Sequence, residues 1–80
     1  MSKKSPRNEQ EALLEILREL RIEAGLRQVD LAEKLGQPQP FVSRYESGER
    51  RLDVLELRTI CRELGVTPAQ FYDRLEAKLK

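Results

Sequence analysis

The amino-acid sequence predicts an all-α fold, a small bundle of five helices. The positions of the glycines and prolines and the absence of a strand periodicity support this prediction. Each of the four glycines follows a stretch of helical apolar periodicity, where a left-handed residue commonly ends a helix. Each of the four prolines lies where a helix would begin, because the fixed φ angle of proline suits a first helical turn. No segment has the alternating apolar pattern of a β-strand.

The first helix is expected over residues 8–24. Asn8 and Glu11 resemble a capping box, in which two side chains satisfy backbone N–H groups at the start of a helix. Apolar residues at helical spacing form one stripe and predict the buried face of this helix. They are Leu13, Leu17, Leu20 and Ala24.

Two short helices follow, over residues 28–35 and 39–46, and Gly36 supplies the turn between them. Such a unit is a helix-turn-helix, whose second helix is narrow enough to enter the major groove of B-DNA. Ala32 is expected where the two helices cross, because a small side chain allows a close approach. The other inward-facing residues predicted here are Leu31, Leu35, Val42 and Tyr45.

Capping boxes also mark the starts of the last two helices. Asp53 and Glu56 form the first of these boxes. Thr67 and Gln70 form the second, with Pro68 at the first helical position. The inward-facing residues are predicted to be Val54, Leu57, Ile60, Cys61 and Leu64 in the fourth helix and Phe71 and Leu75 in the fifth.

Composition excludes several classes of protein. A chain of 80 residues makes one small domain, predicted to span residues 8–80, without room for an enzyme cleft and a second domain. Histidine, a second cysteine, a glycine-rich phosphate loop and metal-ligand spacing are all missing, so we expect no enzyme, no cofactor and no small-molecule substrate. The lone Cys61 fits a reducing cytoplasm, and no apolar run approaches the roughly 18 residues of a membrane span.

The formal net charge of +1 argues against a protein that coats nucleic acid by bulk electrostatics. Any DNA-binding face must therefore be local. Segment 1–7 is basic through Lys3, Lys4 and Arg7, and we expect it to be disordered. A DNA-contacting arm is the alternative, since some DNA-binding domains use such arms in the minor groove.

The helix-turn-helix region resembles a known family. The stretch LRQVDLAEKLGQPQPFVSRYESGER is similar to the helix-turn-helix of the Cro and lambdoid phage repressor family, also called the XRE family. LELRTICRELGVTPAQFYD resembles the fourth and fifth helices of that family, so the resemblance covers about residues 16–74 and implies a lambda-repressor-like DNA-binding domain. The framework positions are Gln28, Leu31, Ala32, Gly36, Ser43, Glu46 and Gly48.

The outer side of the third helix is the candidate surface for reading bases. If Val42 points inward, positions 40, 41 and 44 lie outward, because successive residues turn by about 100°. Arginine can pair with guanine, glutamine with adenine, and an apolar ring can lie against a thymine methyl group. Pro40 cannot donate a backbone hydrogen bond and is expected to shape the first turn. The resemblance implies base contacts at Gln39, Pro40, Phe41 and Arg44, although a solvated charge is the alternative for Arg44.

Further residues are candidates for contacts with the DNA backbone. Gln28 begins the second helix, where backbone N–H groups and the helix dipole attract a phosphate. The resemblance implies that its amide contacts DNA, and an ordinary surface residue is the alternative. Arg27 stands where the family usually has a serine or threonine cap, so we expect some capping to be lost and a phosphate contact to be gained. The phosphate-binding candidates are Arg27, Gln28, Ser43, Arg50 and Arg51.

An ion pair is expected to organise the helix-turn-helix. In phage members of the family, an arginine of the first helix pairs with a glutamate of the third. The resemblance therefore predicts a pair between Arg21 and Glu46 that fixes the first helix against the third. With Ala32 and Gly36, these residues are the predicted structural organisers.

The resemblance implies a bacterial or phage transcriptional regulator, expected to be a repressor that binds a palindromic operator as a homodimer. Two recognition helices about 34 Å apart read such a site much more tightly than one. The alternative is a protein-interaction module of the same fold, such as an antitoxin or adaptor, whose affinity would depend weakly on salt. The candidate dimer contacts are Leu55, Tyr72 and Leu79, which could instead pack on Leu13 or Ile16.

Overall fold

A computed structural model describes residues 8–80 of the chain, and the expectations for segment 1–7 lie outside these residues. The described part contains five helices and no strand, which confirms the predicted fold class. No helix within it has the length and apolar character needed to cross a membrane. The helices are α1 (Glu9–Glu23), α2 (Gln28–Leu35), α3 (Pro40–Glu46), α4 (Val54–Glu63) and α5 (Pro68–Leu79).

Side-chain caps define the starts of three helices, as predicted. At α4, Glu56 N donates to Asp53 Oδ1 at 2.8 Å and Asp53 N donates to Glu56 Oε1 at 3.0 Å. Thr67 and Gln70 exchange the equivalent pair of bonds at the start of α5. At α1, Asn8 Oδ1 accepts from the N–H three residues on, which is one half of a capping box. Each such cap typically contributes about 1 kcal/mol.

The turn between α2 and α3 depends on Gly36, whose φ angle of +66° lies in the left-handed region. The glycine N–H donates to the Glu33 carbonyl, and the Gln37 N–H donates to the Ala32 carbonyl at 3.0 Å. Together these bonds satisfy carbonyl groups that the end of α2 would leave unpaired. A side chain at position 36 would strain this conformation, so glycine fixes where α2 ends.

Helix α1 packs against both α3 and α5. Its buried sector is therefore wider than the predicted stripe and includes Ala12 and Ile16, both fully buried. Ala24 of that stripe is exposed, since it caps the end of the helix. The buried core consists of Ala12, Leu14, Ile16, Leu17, Leu20, Leu31, Ala32, Val42, Tyr45, Ile60, Cys61, Leu64, Phe71 and Leu75.

The expected inward position of Val54 is wrong, because this side chain is 76% exposed at the first turn of α4. The apolar face of α4 starts later, with Leu57 half-buried and Ile60 and Cys61 buried. Burial raises the pKa of the Cys61 thiol, so the cysteine is a core residue as expected.

Ion pairs join α1 and α5 along their exposed edges. Arg74 lies between two glutamates of α1, with Nη2 at 2.6 Å from Glu23 Oε2 and 3.3 Å from Glu19 Oε1. One turn further along α5, Lys78 Nζ lies 3.2 Å from Glu19 and 3.5 Å from Glu15. Arg74 lowers the pKa of Glu23 through its hydrogen bond. Solvent screens such pairs, so the buried Phe71 and Leu75 hold α5 more firmly than its charges do.

The core contains one polar atom without a partner in the described part of the chain, the hydroxyl of Tyr45. The ring is fully buried, and burial raises the pKa of this hydroxyl. A buried polar group without a hydrogen bond destabilises the folded state, whereas the Tyr45 ring stabilises it by packing in the core.

Replacing Tyr45 by phenylalanine should therefore leave the free energy of unfolding unchanged or raise it by about 1 kcal/mol. Urea denaturation followed by circular dichroism measures this change, with Tyr72→Phe as the matched control because the Tyr72 side chain is exposed. A loss of stability in Tyr45→Phe alone would mean that the hydroxyl has a bonding partner in solution.

Candidate nucleic-acid interface

Helix α3 is held by its inner face against α1 and α2. Val42 and Tyr45 are fully buried, and Ala32 of α2 is 1% exposed where the two helices pack together. Ala32 is thus buried as predicted, and we expect a larger side chain there to separate the helices. This packing leaves the opposite side of α3 to solvent.

The predicted ion pair between Arg21 and Glu46 is present. Arg21 Nε donates to Glu46 Oε2 at 2.7 Å, and Nη2 donates to Oε1 at 3.1 Å, which makes the pair bidentate. The remaining terminal nitrogen, Nη1, donates to the Leu26 carbonyl at 2.8 Å. Both side chains are nearly buried, with exposures of 9% and 4%. The pair joins the end of α1, the turn after it and the end of α3.

Gln28 adds a third partner to this network, which the sequence did not indicate. Its Nε2 donates to Glu46 Oε1 at 3.0 Å, and the residue is half-buried at the first position of α2. The side-chain amide is therefore held in place from within the protein. The backbone N–H of Gln28 belongs to the first turn of α2, where N–H groups have no partner inside the helix.

Arg27 and Asp30 close the start of α2 from its exposed side. Asp30 Oδ2 accepts from the Arg27 backbone N–H at 2.8 Å and from Arg27 Nε at 3.0 Å, while Oδ1 accepts from Nη2 at 2.9 Å. Arginine has no acceptor for the N–H groups of the helix, so half of the usual box is lost, as expected. The hydrogen bond from Arg27 lowers the pKa of Asp30 to about 2.

Three of the four base-reading candidates lie on the solvent side of α3. Gln39 is the N-cap, one residue before the helix, and Pro40 occupies the first helical position as expected. Both are exposed, and so is Arg44 on the next turn. Within residues 8–80, the Arg44 side chain has no ion-pair partner.

The expectation that Phe41 is exposed is wrong. The ring is half-buried against the core and meets the Tyr45 ring edge to face, with centroids 5.6 Å apart. Position 41 lies only about 100° around the helix from the buried Val42, so its side chain turns toward α4 instead of directly outward. The ring also lines a cleft of about 220 Å³ with residues of α2 and α4, among them Leu35, Leu55 and Ile60.

Arg50 is not a free cation on the loop between α3 and α4. Its Nη2 donates to Glu56 Oε2 at 2.7 Å and Nη1 donates to Oε1 at 3.1 Å. The guanidinium carbon lies 4.7 Å from the centre of the Phe41 ring, within cation–π distance. The Arg50 hydrogen bond lowers the pKa of Glu56. The sequence did not indicate this cluster, because its members belong to different elements.

The other two phosphate candidates differ in their surroundings. Ser43 is half-buried, and its hydroxyl donates to the Pro40 carbonyl at 3.1 Å within α3. Arg51 is exposed, and its side chain has no ion-pair partner in the described part of the chain. Arg44 and Arg51 are thus the candidate cations whose charge is not already matched by a carboxylate.

The dimer candidates also divide into two groups. Leu55 and Tyr72 are exposed by 70% and 57%, as expected for residues left over after core assignment. Leu79 instead packs partly against the core of its own chain, in line with the alternative that these residues pack within the chain. Val54 adds a further exposed apolar side chain next to Leu55.

A helix-turn-helix with an exposed, cation-bearing second helix defines the class of this domain as DNA-binding. The sequence profile of the family described as Helix-turn-helix matches residues 17–71. The chain belongs to this family, the XRE-type helix-turn-helix DNA-binding transcriptional regulators, which confirms the resemblance in the sequence.

Solved structures support this assignment. An XRE-family like protein from Pseudomonas syringae pv. tomato str. DC3000 is 46% identical, with a TM-score of 0.82 over 90% of this chain and 88% of that chain. The wild-type restriction-modification controller protein C.Esp1396I is 25% identical, with a TM-score of 0.83 over 91% of this chain and 96% of that chain. The C.Esp1396I tetramer in complex with its natural 35 base-pair operator is 27% identical, with a TM-score of 0.83 over 92% and 99% of the two chains. No curated protein matches in sequence.

Replacing Glu46 by alanine should lower the free energy of unfolding by about 3 kcal/mol, because it leaves the Arg21 charge buried without a carboxylate. Thermal and urea denaturation measure the loss. Glu63→Ala is the matched control, since Glu63 makes only a long, exposed contact of 3.9 Å with Arg62 and should change stability far less. An unchanged melting temperature in Glu46→Ala would rule out the pair as an organiser.

Proposed function

We propose that this chain is a sequence-specific repressor that binds a palindromic operator in double-stranded DNA as a homodimer. The observation that carries this proposal is the exposed side of α3, where Gln39 is open to solvent and Arg44 has no ion-pair partner within residues 8–80. A related controller protein binds its operator as a tetramer, which supports both DNA binding and assembly.

Base recognition in this proposal depends on two side chains of α3. Arg44 donates two parallel hydrogen bonds to the O6 and N7 atoms of a guanine, and Gln39 pairs with the N6 and N7 atoms of an adenine. Pro40 lacks an N–H and sets the direction in which the helix starts. Phe41 contributes less to base reading than expected from the sequence, because its ring is half-buried beside α4.

Backbone contacts in this proposal come from the start of α2 and the loop after α3. The N–H groups at the start of α2 bind a phosphate with the help of the helix dipole, and Glu46 holds the Gln28 amide beside them. On binding DNA, Arg27 gives up its exposed side-chain hydrogen bonds to Asp30 and contacts a phosphate instead. Arg51 and the Ser43 hydroxyl supply further backbone contacts. These charges act locally, which is consistent with the net charge of +1.

Arg44→Ala should relax the preferred sequence at one base pair of each half-site, because its guanidinium reads that pair. Selection from a random duplex pool at physiological salt, followed by sequencing, should yield a two-fold motif for the wild type. Arg62→Ala is the matched control, since it removes the same charge from the end of α4.

Affinity of the wild type for the selected duplex should fall steeply as salt rises, because phosphate contacts release counterions. No enriched motif, or an affinity insensitive to salt, would contradict the proposed function and favour a protein-binding role. An unchanged motif in Arg44→Ala would contradict only its assignment as a base reader.

Dimerisation through Leu55 and Tyr72 should produce concentration-dependent sedimentation in the absence of DNA, because both apolar side chains would leave water at the interface. Tyr72→Glu and Leu55→Glu should each shift the chain toward its monomer mass of 9.3 kDa. Ala77→Glu is the control, as it adds the same charge at an exposed position of α5. Wild-type protein that stays monomeric at about 100 µM would contradict this part of the proposal, because that concentration is well above the dissociation constants of typical dimers.

A further inference from the structure

The loop between α3 and α4, residues 47–53, contains a three-residue cluster that we call the Arg50 clamp. It consists of Phe41, Arg50 and Glu56. The Phe41 ring covers one face of the guanidinium at 4.7 Å, and the Glu56 carboxylate binds its edge at 2.7 and 3.1 Å. Phe41 belongs to the first turn of α3 and Glu56 to the first turn of α4. The clamp therefore connects both helices through one loop residue.

The clamp also fixes the backbone of the loop. Arg50 Nη1 donates to the Arg51 carbonyl at 3.0 Å, so the guanidinium that is held by Glu56 holds the next peptide group. Glu56 Oε1 in turn accepts from the Asp53 N–H at 3.0 Å. At the other end of the loop, the Arg44 carbonyl accepts from the Glu49 N–H at 2.9 Å and the Arg50 N–H at 3.1 Å. The loop is thus attached to the recognition helix at Arg44.

These contacts give the neighbouring Arg50 and Arg51 different roles. Arg50 already donates three hydrogen bonds from its terminal nitrogens, and a phosphate would have to displace Glu56 to take two of them. Arg51 has its backbone carbonyl fixed while its exposed side chain has no ion-pair partner in the described residues. A fixed backbone lowers the entropy that is lost when the cation binds, because only the side chain has still to be ordered.

We infer that Arg50 is a positioning residue: with Phe41 and Glu56 it holds the loop so that Arg51 contacts the DNA backbone beside α3. Arg51, and not Arg50, neutralises the phosphate. This inference rests on the proposed function and adds to it the means by which the loop is aligned with the recognition helix. Phe41 acts in it through Arg50 and reads no base.

A double-mutant cycle on the selected duplex tests the inference, with dissociation constants measured over a series of salt concentrations. Arg51→Ala should reduce the salt slope by about 1, the value expected for one lost phosphate contact. Arg50→Ala should weaken binding in the wild-type background and have little further effect in the Arg51→Ala background. The double variant should therefore lose about 1 from the slope. A loss of about 2 would mean that Arg50 binds its own phosphate, and would overturn the inference.

Phe41→Leu tests the clamp without a change of charge. It should weaken binding about equally for all duplexes, with no effect in the Arg51→Ala background. A changed base preference would overturn the inference, because it would make Phe41 a base reader.

Glu56→Gln keeps an acceptor for the Asp53 N–H but removes the charge that holds Arg50. Affinity should fall relative to Glu63→Gln, a control with the same charge change on the same helix. A rise in affinity and salt slope would show that Glu56 only competes with DNA for Arg50, which would also overturn the inference.

Hydrogen exchange in the free protein gives an independent measurement. The Arg50 amide, bonded to the Arg44 carbonyl, should exchange faster in Phe41→Leu and Glu56→Gln, while buried amides of α1 stay unchanged. Unchanged exchange of the Arg50 amide would overturn the clamp. If the wild-type protein binds no duplex, the proposed function and the role of Arg51 both fail. If the losses of salt slope in Arg50→Ala and Arg51→Ala add up in the double variant, only this inference fails.

Discussion

The bidentate ion pair between Arg21 and Glu46 connects the helix-turn-helix to the first helix of the bundle. A buried ion pair stabilises a protein only if hydrogen bonds replace the water that both groups lose. Here Leu26 supplies a carbonyl to the arginine, and Gln28 supplies an amide to the glutamate. One carboxylate at the end of α3 therefore contacts both α1 and the start of α2. The burial of Val42 and Tyr45 leaves the opposite face of α3 to solvent.

Two kinds of arginine matter for the candidate interface and its support. Arg21, Arg50 and Arg74 pair with carboxylates from other elements and hold those elements together. Arg44 and Arg51 are exposed and have no such partner within residues 8–80. A chain with a net charge of +1 can thus still have unpaired cations at the candidate interface. The net charge alone does not show where these cations lie.

Local signals predicted the fold well. Capping boxes such as Asp53 with Glu56 and glycines such as Gly36 act within a few residues, so the sequence contains the whole interaction. Helical periodicity, in contrast, gives a direction but not the width of the buried sector. That width depends on which neighbours a helix packs against, which is why Ala12 was missed and Val54 was misplaced.

The candidate site was predictable only in part, and for a related reason. The Arg21 and Glu46 pair followed from the family resemblance, since 25 residues of sequence separate its members. The Arg50 clamp has no counterpart among the framework motifs, and its members belong to two helices and the loop between them. Phe41 was therefore assigned to the DNA-facing side on helical geometry alone, before the loop that covers its ring could be considered.

The full burial of Cys61 gives the molecule an internal reporter of its own breathing motions. The thiolate is the reactive form of cysteine, and burial disfavours it by raising the pKa of the thiol. A thiol reagent can therefore reach this sulfur only when α4 separates from its neighbours. The rate of labelling at the single cysteine of the chain then measures how often the interior opens, without any substitution in the folded protein.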